Sequence, residues 1–99
     1  MFVVSVLYPP GEFDLGYYRD THLPMVRRLL EPAGMSEMGY WRPSEMDPAS
    51  PYQLIAELRF PDRATGLAAL DAHGAETQAD IPNFTPVTPV IVMGEMAAD

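Results

Sequence analysis

Four stretches of the chain combine β-branched, aromatic and other apolar residues in the patterns that predict β-strands. They are residues 2–8, 35–42, 52–60 and 87–95. The first is apolar on both of its alternating faces and stops at Pro9, which predicts a central strand that is covered on both sides. Pro89, near the start of the last stretch, favours an edge strand, because a missing backbone donor does least harm there.

Residues 15–31 place apolar side chains three and four positions apart, which predicts a helix with Tyr18 and His22 on its apolar stripe. Asp14 precedes the stretch as a candidate N-cap. Pro24 lies inside it, where a proline removes one backbone donor and crowds the carbonyl four residues earlier. We therefore expect either a kink near His22 or two short helices that meet there.

A second helix is predicted from Asp62 to about His73. Its expected buried face consists of apolar residues, namely Ala64, Leu67 and Leu70. Gly74 is expected to interrupt this helix, with residues 75–80 adding one more turn. Prolines and other turn residues then predict a connector over residues 81–86.

The order strand, helix, strand, strand, helix, strand is that of the ferredoxin-like plan, an α+β fold. It predicts one domain over residues 1–99, with a four-stranded antiparallel sheet and both helices on one face. The other face of the sheet then needs a cover, and a second copy of the chain is the simplest one. We therefore expect a homodimer.

The composition removes several kinds of chemistry. The chain has 99 residues, a formal net charge of −8, no Cys and no Lys, which excludes a thiol nucleophile, a Schiff-base lysine and cysteine-based metal sites. With no basic run longer than Arg27-Arg28, we expect no nucleic-acid binding and repulsion from anionic membranes. No apolar stretch approaches a membrane span, and the first residues lack the basic segment of a signal peptide. A cytoplasmic location is expected, and the absence of Cys is compatible with it. From Asp71 to Asp99 there is no Arg to clamp an anionic substrate.

The two histidines are the first candidates for chemistry, because their ordinary pKa lies near neutrality. His22 lies beside the proline break, where it would act as a catalytic proton shuttle facing a pocket between helix and sheet. Tyr18, one turn earlier on the same face, would donate a hydrogen bond to a ligand oxygen or hold the imidazole. The alternatives are a structural His22 that bonds a carbonyl freed by Pro24, and a Tyr18 that fills the core.

Other candidates are expected to form the walls of a ligand site. His73 precedes a glycine and is read either as a helix-capping residue or as part of a polar wall with Asp80 and Asn83. The aromatic residues would line an apolar pocket or fill the core and dimer interface, and those taken as ligand contacts are Tyr8, Trp41 and Phe84. Two distant histidines and scattered carboxylates match no metal-ligand spacing, so no metal site is expected.

Two sequence signatures occur together in this chain. One is a pair of tyrosines followed by His-x-Pro, from Tyr17 to Pro24, and the other is Asp80-Ile81-Pro82-Asn83-Phe84-Thr85. In combination, and over nearly the whole chain, they resemble the EthD family, small proteins of the dimeric α/β-barrel superfamily named for ethyl tert-butyl ether degradation. The loop from Pro43 to Pro51 departs from bacterial relatives, and we expect it to border the pocket.

The resemblance implies a homodimer whose sheets pack into a barrel, a pocket between sheet and helices, and no fixed cofactor. His22 matches the signature histidine of the family. We expect a cofactor-independent enzyme whose proton transfer serves isomerase, cyclase or dehydratase-like lyase chemistry on an apolar or aromatic carbonyl metabolite, such as a polyketide intermediate. The alternatives are a non-catalytic accessory protein that binds a hydrophobic small molecule, and a cofactor-free monooxygenase that uses the substrate's own anion to activate oxygen.

Overall fold

The computed structural model describes residues 1–44 and 50–97. Within these residues the strands are β1 (Phe2–Tyr8), β2 (Glu37–Trp41), β3 (Leu54–Phe60) and β4 (Val90–Glu95). The first helical segment has three parts, which are α1 (Leu15–Tyr17), a π-helical turn (Tyr18–His22) and α2 (Leu23–Leu30). The second helix is α3 (Arg63–Ala79), and a short 3₁₀ helix follows it (Ile81–Asn83).

The strands pair antiparallel in one sheet with the order β2-β3-β1-β4. This confirms the α+β ferredoxin-like fold, with β1 in the centre and β4 at an edge as predicted. Three strands begin later than predicted. β3 begins at Leu54 instead of residue 52. β2 begins at Glu37, because the N–H of Met35 bonds the carbonyl of Leu30 instead of a neighbouring strand. β4 begins at Val90, because Pro89 has no N–H to donate.

The two faces of the sheet differ in cover. The face that carries the helices holds the buried strand residues, which are Phe2, Val4, Tyr8, Leu54, Ala56, Leu58 and Phe60. The register places Val92 beside Ser5 and Trp41 beside Ile55 on the opposite, open face. Val92 and Trp41 are 53% and 52% exposed, so apolar surface remains on the open face of this single chain.

The first helical segment changes its winding where the proline lies. Asp14 caps α1 by accepting a hydrogen bond of 3.0 Å from a backbone N–H of its first turn. At the end of the π-helical turn the N–H of Leu23 bonds the carbonyl of Tyr18, five residues back. This wider turn relieves the clash that the ring of Pro24 would make in regular α-helix. The outcome is two α-helical segments joined by a π-helical turn that ends at His22.

The expectation that Gly74 interrupts the second helix was wrong, because α3 runs without a break to Ala79. The expected buried face was also partly wrong. Leu67 and Ala64 are exposed, and Leu70 is half-buried against the core. The buried positions of α3 are small instead, namely Gly66, Ala69 and Gly74.

The sheet explains why small residues face it from α3. The large rings of Phe2 and Phe60 are buried beneath the helix, and they occupy the space that a leucine side chain would need. At Gly66 an added Cβ would clash with the ring of Phe2 and would lie 3.2 Å from Cδ2 of Phe60. The helix therefore packs close to the sheet at Gly66 only because that residue has no side chain.

Of the predicted loop over residues 43–51, residues 45–49 lie outside the described residues. The expectation that this loop borders the pocket therefore stays a prediction. In the parts of the chain that the structure describes, no helix combines the length and apolar character needed to cross a membrane.

We predict that Gly66→Ala destabilises the fold by about 1–3 kcal/mol, because the added methyl must displace the Phe2 ring in a well-packed core. Thermal denaturation should show a lower Tm than the wild type. Ala68→Ser on the exposed side of α3 is the matched control, and it should stay within about 0.5 kcal/mol. A Tm equal to or above that of the wild type in Gly66→Ala would contradict the close approach.

Candidate active site

A cavity of about 510 Å³ lies between the helix-bearing face of the sheet and the helices. Apolar side chains from the strands and α2 form most of its wall, among them Val4, Val6, Val26, Met38, Ala56 and Leu58. Lining residues that are exposed mark its mouth between α3 and the β4 edge, and these are Ala75, Gln78, Ile91 and Met93. A largely apolar pocket of this size suits a small hydrophobic molecule.

Three of the predicted site residues line this cavity, namely Tyr8, Tyr18 and His22. Tyr18 and His22 belong to the π-helical turn and are both buried, with 1% and 6% exposure. The ring of Tyr18 stacks on that of His22, with ring centroids 5.5 Å apart and an angle of 18° between the planes. The widened turn thus brings both side chains to the same apolar space.

His22 is held by a carboxylate. Its Nδ1 lies 2.9 Å from Oδ2 of Asp80, 58 positions later in the chain. The other carboxylate oxygen, Oδ1, accepts hydrogen bonds from the hydroxyl of Tyr17 at 2.7 Å and from the amide nitrogen of Asn83 at 2.9 Å. One carboxylate therefore joins the first helical segment to the residues after α3.

Backbone bonds keep the connector after α3 next to α1. The N–H of Asp14, the N-cap of α1, donates to the carbonyl of Phe84 at 2.8 Å. The buried hydroxyl of Thr85 donates to the carbonyl of Glu12 at 2.6 Å. These two bonds hold the end of the 3₁₀ helix against the start of α1, which sets Asp80 within reach of His22.

The electrostatics of the pair favour a neutral imidazole beside an ionised carboxylate. Burial lowers the pKa of His22 below its ordinary 6.5, against the opposing effect of Asp80. For Asp80, desolvation alone would raise the pKa, but hydrogen bonds from Asn83, His22 and Tyr17 outweigh it and hold the pKa below 3.8. The hydrogen bond to Asp80 also raises the pKa of the Tyr17 hydroxyl, so that group stays protonated as a donor.

Asp80 also selects the tautomer of His22. An ionised carboxylate accepts but cannot donate, so Nδ1 carries the ring proton and Nε2 carries the lone pair. Among the described residues, every side-chain nitrogen or oxygen that is fully enclosed has a hydrogen-bond partner. Nε2 of His22 has no partner there, so it is not fully enclosed. Nε2 therefore meets open space, and the cavity is the space that His22 lines.

The hydroxyls of Tyr8 and Tyr18 also have no hydrogen-bond partner in the described part of the chain. By the same argument they are not fully enclosed, and the space they meet is the cavity that both residues line. Burial raises the pKa of each hydroxyl far above its ordinary value of 10, and the neighbouring Tyr8 and Tyr40 add to the effect at Tyr18. Both hydroxyls therefore remain protonated at neutral pH. The cavity thus combines one base with two hydrogen-bond donors.

The other predicted site residues lie outside the cavity wall. Asp80, Asn83 and Phe84 lie behind His22, with the rings of Phe84 and His22 4.6 Å apart. Trp41 is on the other face of the sheet. His73 does not line the cavity, and its reading as a helix cap was wrong because α3 continues to Ala79.

The structure identifies the hydrogen-bond partner of His22, on which the two interpretations of its sequence context differed. The expected backbone carbonyl freed by Pro24 is not its partner, because Nδ1 bonds a side-chain carboxylate. Tyr17 was missed as a site residue, and the only signal for it was its place beside Tyr18 in the tyrosine pair. Within the described residues, no group of three or more His, Asp or Glu side chains could hold a metal ion.

The structure resembles solved proteins of the EthD family. An EthD-like protein from Ralstonia eutropha JMP134 has a TM-score of 0.83 and 27% identity, covering 99% of this chain and 93% of that one. An EthD family protein from Bacillus halodurans C-125 has a TM-score of 0.78 and 24% identity, covering 98% and 99%. The resemblance to the EthD family is thereby confirmed at the level of structure.

A more distant crystal structure, of an antibiotic biosynthesis monooxygenase, has a TM-score of 0.55 and 16% identity. It covers 99% of this chain and 100% of that one, and at this identity it shares the fold alone. No protein-family model and no curated protein sequence matches the chain.

We predict that the ring of His22 titrates below pH 6.5 and is the Nδ1-protonated tautomer at pH 7.5. Nitrogen-15 NMR of the imidazole measures both quantities, because the shift of each ring nitrogen reports its protonation. A midpoint above 6.5, or an Nε2-protonated ring at pH 7.5, would contradict the arrangement described above.

The depressed pKa of His22 also predicts a loss of stability in acid. Below the unfolded value of about 6.5 the unfolded chain binds a proton more readily than the folded one, so the free energy of unfolding falls as the pH drops towards the folded pKa. Thermal denaturation at pH 7.5 and pH 5.0 checks this. The decrease in Tm between these pH values should be larger for the wild type than for His22→Gln, and equal decreases would refute the linkage.

Proposed function

We propose that this EthD-like chain is a cofactor-independent enzyme that moves a proton on an apolar or aromatic carbonyl metabolite, such as a polyketide intermediate. The observation that carries the proposal is the pair formed by His22 and Asp80. It leaves Nε2 as a base at the edge of an apolar cavity, next to two tyrosine hydroxyls. Isomerisation, cyclisation and dehydration all need a proton taken from one atom and returned to another.

In the proposed mechanism Nε2 of His22 takes the proton from the carbon next to the carbonyl of the substrate. The electron pair of the broken C–H bond moves to the carbonyl oxygen and forms an enolate. The imidazolium that results carries a proton on each nitrogen, and the carboxylate of Asp80 stabilises its positive charge. Nε2 then returns the proton at another atom of the substrate, which restores the neutral ring.

The two tyrosines have a different role in this mechanism. Because burial keeps the hydroxyls of Tyr8 and Tyr18 protonated, they can donate hydrogen bonds but cannot compete with His22 as bases. A donor aimed at the carbonyl oxygen is worth most when that oxygen gains negative charge in the transition state. Tyr18, stacked on the imidazole, is therefore the proposed donor to the enolate, with Tyr8 as a second candidate.

The wall of the cavity supports a neutral substrate. No Arg occurs among the described residues that line the cavity. Asp80, the carboxylate partner of His22, lies outside the cavity wall. An anionic ligand would lose its hydration there without a cation to replace it, which costs free energy. A neutral ketone with an apolar ring system matches the lining.

We further propose that the protein acts as a homodimer in which the open face of the sheet is covered by a second copy. Single chains rarely leave contiguous apolar surface of this kind in water, and the exposed open-face residues include Trp41, Val90 and Val92. The charged side chains on the same face are paired with each other, since Arg59 lies 3.0 Å from Glu57 and 3.9 Å from Glu37. Such pairing lowers the cost of covering them.

The proton-transfer role is tested with 1-tetralone, a neutral bicyclic aromatic ketone, in deuterium oxide at pH 7.5. We expect the wild type to accelerate exchange of the protons next to the carbonyl for deuterium, measured by proton NMR. His22→Gln should lose about 10²–10⁴-fold of that acceleration, which is the usual contribution of a well-placed base. His73→Gln is the control and should keep the activity, because His73 does not line the cavity.

If 1-tetralone binds in the cavity, as seen by chemical-shift changes of its lining residues, but exchanges no faster than in buffer, the enzyme proposal fails. The non-catalytic binding protein is then the better account. Equal exchange rates for the wild type and His22→Gln would equally remove His22 as the base.

The dimer is tested with Val92→Arg, which places a charge on the open face of an edge strand. We expect size-exclusion chromatography with light scattering to give about 22 kDa for the wild type, twice the chain mass of 11.0 kDa, and the monomer mass for the variant. Leu67→Arg on the exposed side of α3 is the matched control and should stay dimeric. A monomeric wild type would rule the homodimer out.

A further inference from the structure

Two buried glycines of α3 differ in the space around them. An added Cβ at Gly66 would clash with the ring of Phe2, so packing against the sheet explains that glycine. An added Cβ at Gly74 would meet only Cβ of Leu70, at 3.9 Å, which is an ordinary contact. The fold therefore has room for a side chain at Gly74 and does not use it.

Backbone conformation does not explain Gly74 either. Among the described glycines only Gly11 and Gly34 have positive φ, and Gly74 lies within the regular helix α3. Inside a helix, glycine is less favourable than alanine, because it restricts more backbone freedom on folding. Gly74 thus destabilises the helix, and neither close packing nor a special backbone conformation requires a glycine there.

The place of Gly74 in the cavity suggests what the space is for. Gly74 lines the same cavity as His22, and so do Leu70 and Gln78, one turn before and one turn after it on α3. The side chains on either side reach the cavity while the wall is bare at Gly74. The part of the cavity wall that α3 forms is therefore without a side chain at Gly74, a buried position next to the mouth.

We propose that Gly74 is a specificity-determining residue, whose missing side chain makes room in the cavity for a flat, neutral ketone of at least three fused rings. The inference rests on the ligand class of the proposed function, but it concerns binding and not the proton transfer. The cavity of about 510 Å³ is within the range that takes ligands of that size. A methyl group at position 74 would narrow the cavity slightly. A leucine side chain there would occupy the part of the cavity between α3 and the sheet.

The test compares two probe ketones, 1-tetralone with two rings and 9-fluorenone with three. Their dissociation constants are measured by NMR chemical-shift titration for the wild type, Gly74→Ala and Gly74→Leu. We expect Gly74→Leu to bind 9-fluorenone at least about tenfold more weakly and 1-tetralone no more than about threefold more weakly. Gly74→Ala should weaken 9-fluorenone by about two- to threefold and raise Tm by about 3 °C, because alanine suits a helix interior better.

Control variants distinguish the effect of lost space at Gly74 from other effects of a substitution in α3. Ala72→Leu adds bulk on the exposed side of α3 and should leave both dissociation constants unchanged. Binding of both ketones by the wild type is measured independently of proton exchange, so a failed proton-transfer test with intact binding leaves the role of Gly74 standing. If Gly74→Leu does not fold, Gly74→Ala alone decides, through its combination of higher Tm and weaker binding of 9-fluorenone.

Three results would overturn the proposal. The first is a wild type that binds neither ketone, since the space would then serve no ligand of this class. The second is equal binding of 9-fluorenone by the wild type and the Gly74 variants. The third is a fall in Tm for Gly74→Ala as large as that for Gly66→Ala, because the glycine would then be explained by packing.

Discussion

The hydrogen bond between Nδ1 of His22 and Oδ2 of Asp80 is the interaction on which the candidate site depends. It fixes the tautomer of a buried imidazole, and it joins the first helical segment to the connector that follows α3. Tyr17 and Asn83 occupy the other carboxylate oxygen, so Asp80 is held from two directions. A carboxylate that accepts three hydrogen bonds stays ionised, and this makes Nε2 of His22 the lone-pair nitrogen on the side of the cavity.

Pro24 and the glycines of α3 shape the space next to His22. Pro24 favours a widened turn, and this turn carries both Tyr18 and His22 to the cavity. On the other side, Gly66 lets α3 approach the rings of Phe2 and Phe60, while Gly74 leaves part of the wall bare. The same helix therefore packs against the sheet and lines the cavity. Gly66 faces the aromatic rings of the sheet, whereas Gly74 faces the cavity.

Local patterns were sufficient where a residue's neighbours in sequence decide its structure. The alternation in residues 52–60 and the proline at 89 predicted the sheet and its edge, and Asp14 predicted a helix cap that forms as a hydrogen bond. Periodicity failed in α3, where Leu67 was expected inside and is 41% exposed. Which side of α3 faces the sheet depends on the size of the rings beneath it, and a pattern of apolar spacing within one helix does not contain that information.

By itself, the sequence determined the order of strands and helices, the likeness to the EthD family, and the narrow choice of His22 and Tyr18 for chemistry, because a chain without Cys and Lys offers few reactive groups. Only the tertiary structure decided which atoms each candidate contacts and which candidates meet at one cavity. It paired His22 with Asp80 across 58 positions, added Tyr17 to that network, and left Trp41 and His73 out of the cavity. The reason is physical: a hydrogen bond needs two atoms within about 3 Å of each other, and distances between residues far apart in sequence are set by how the helices pack on the sheet.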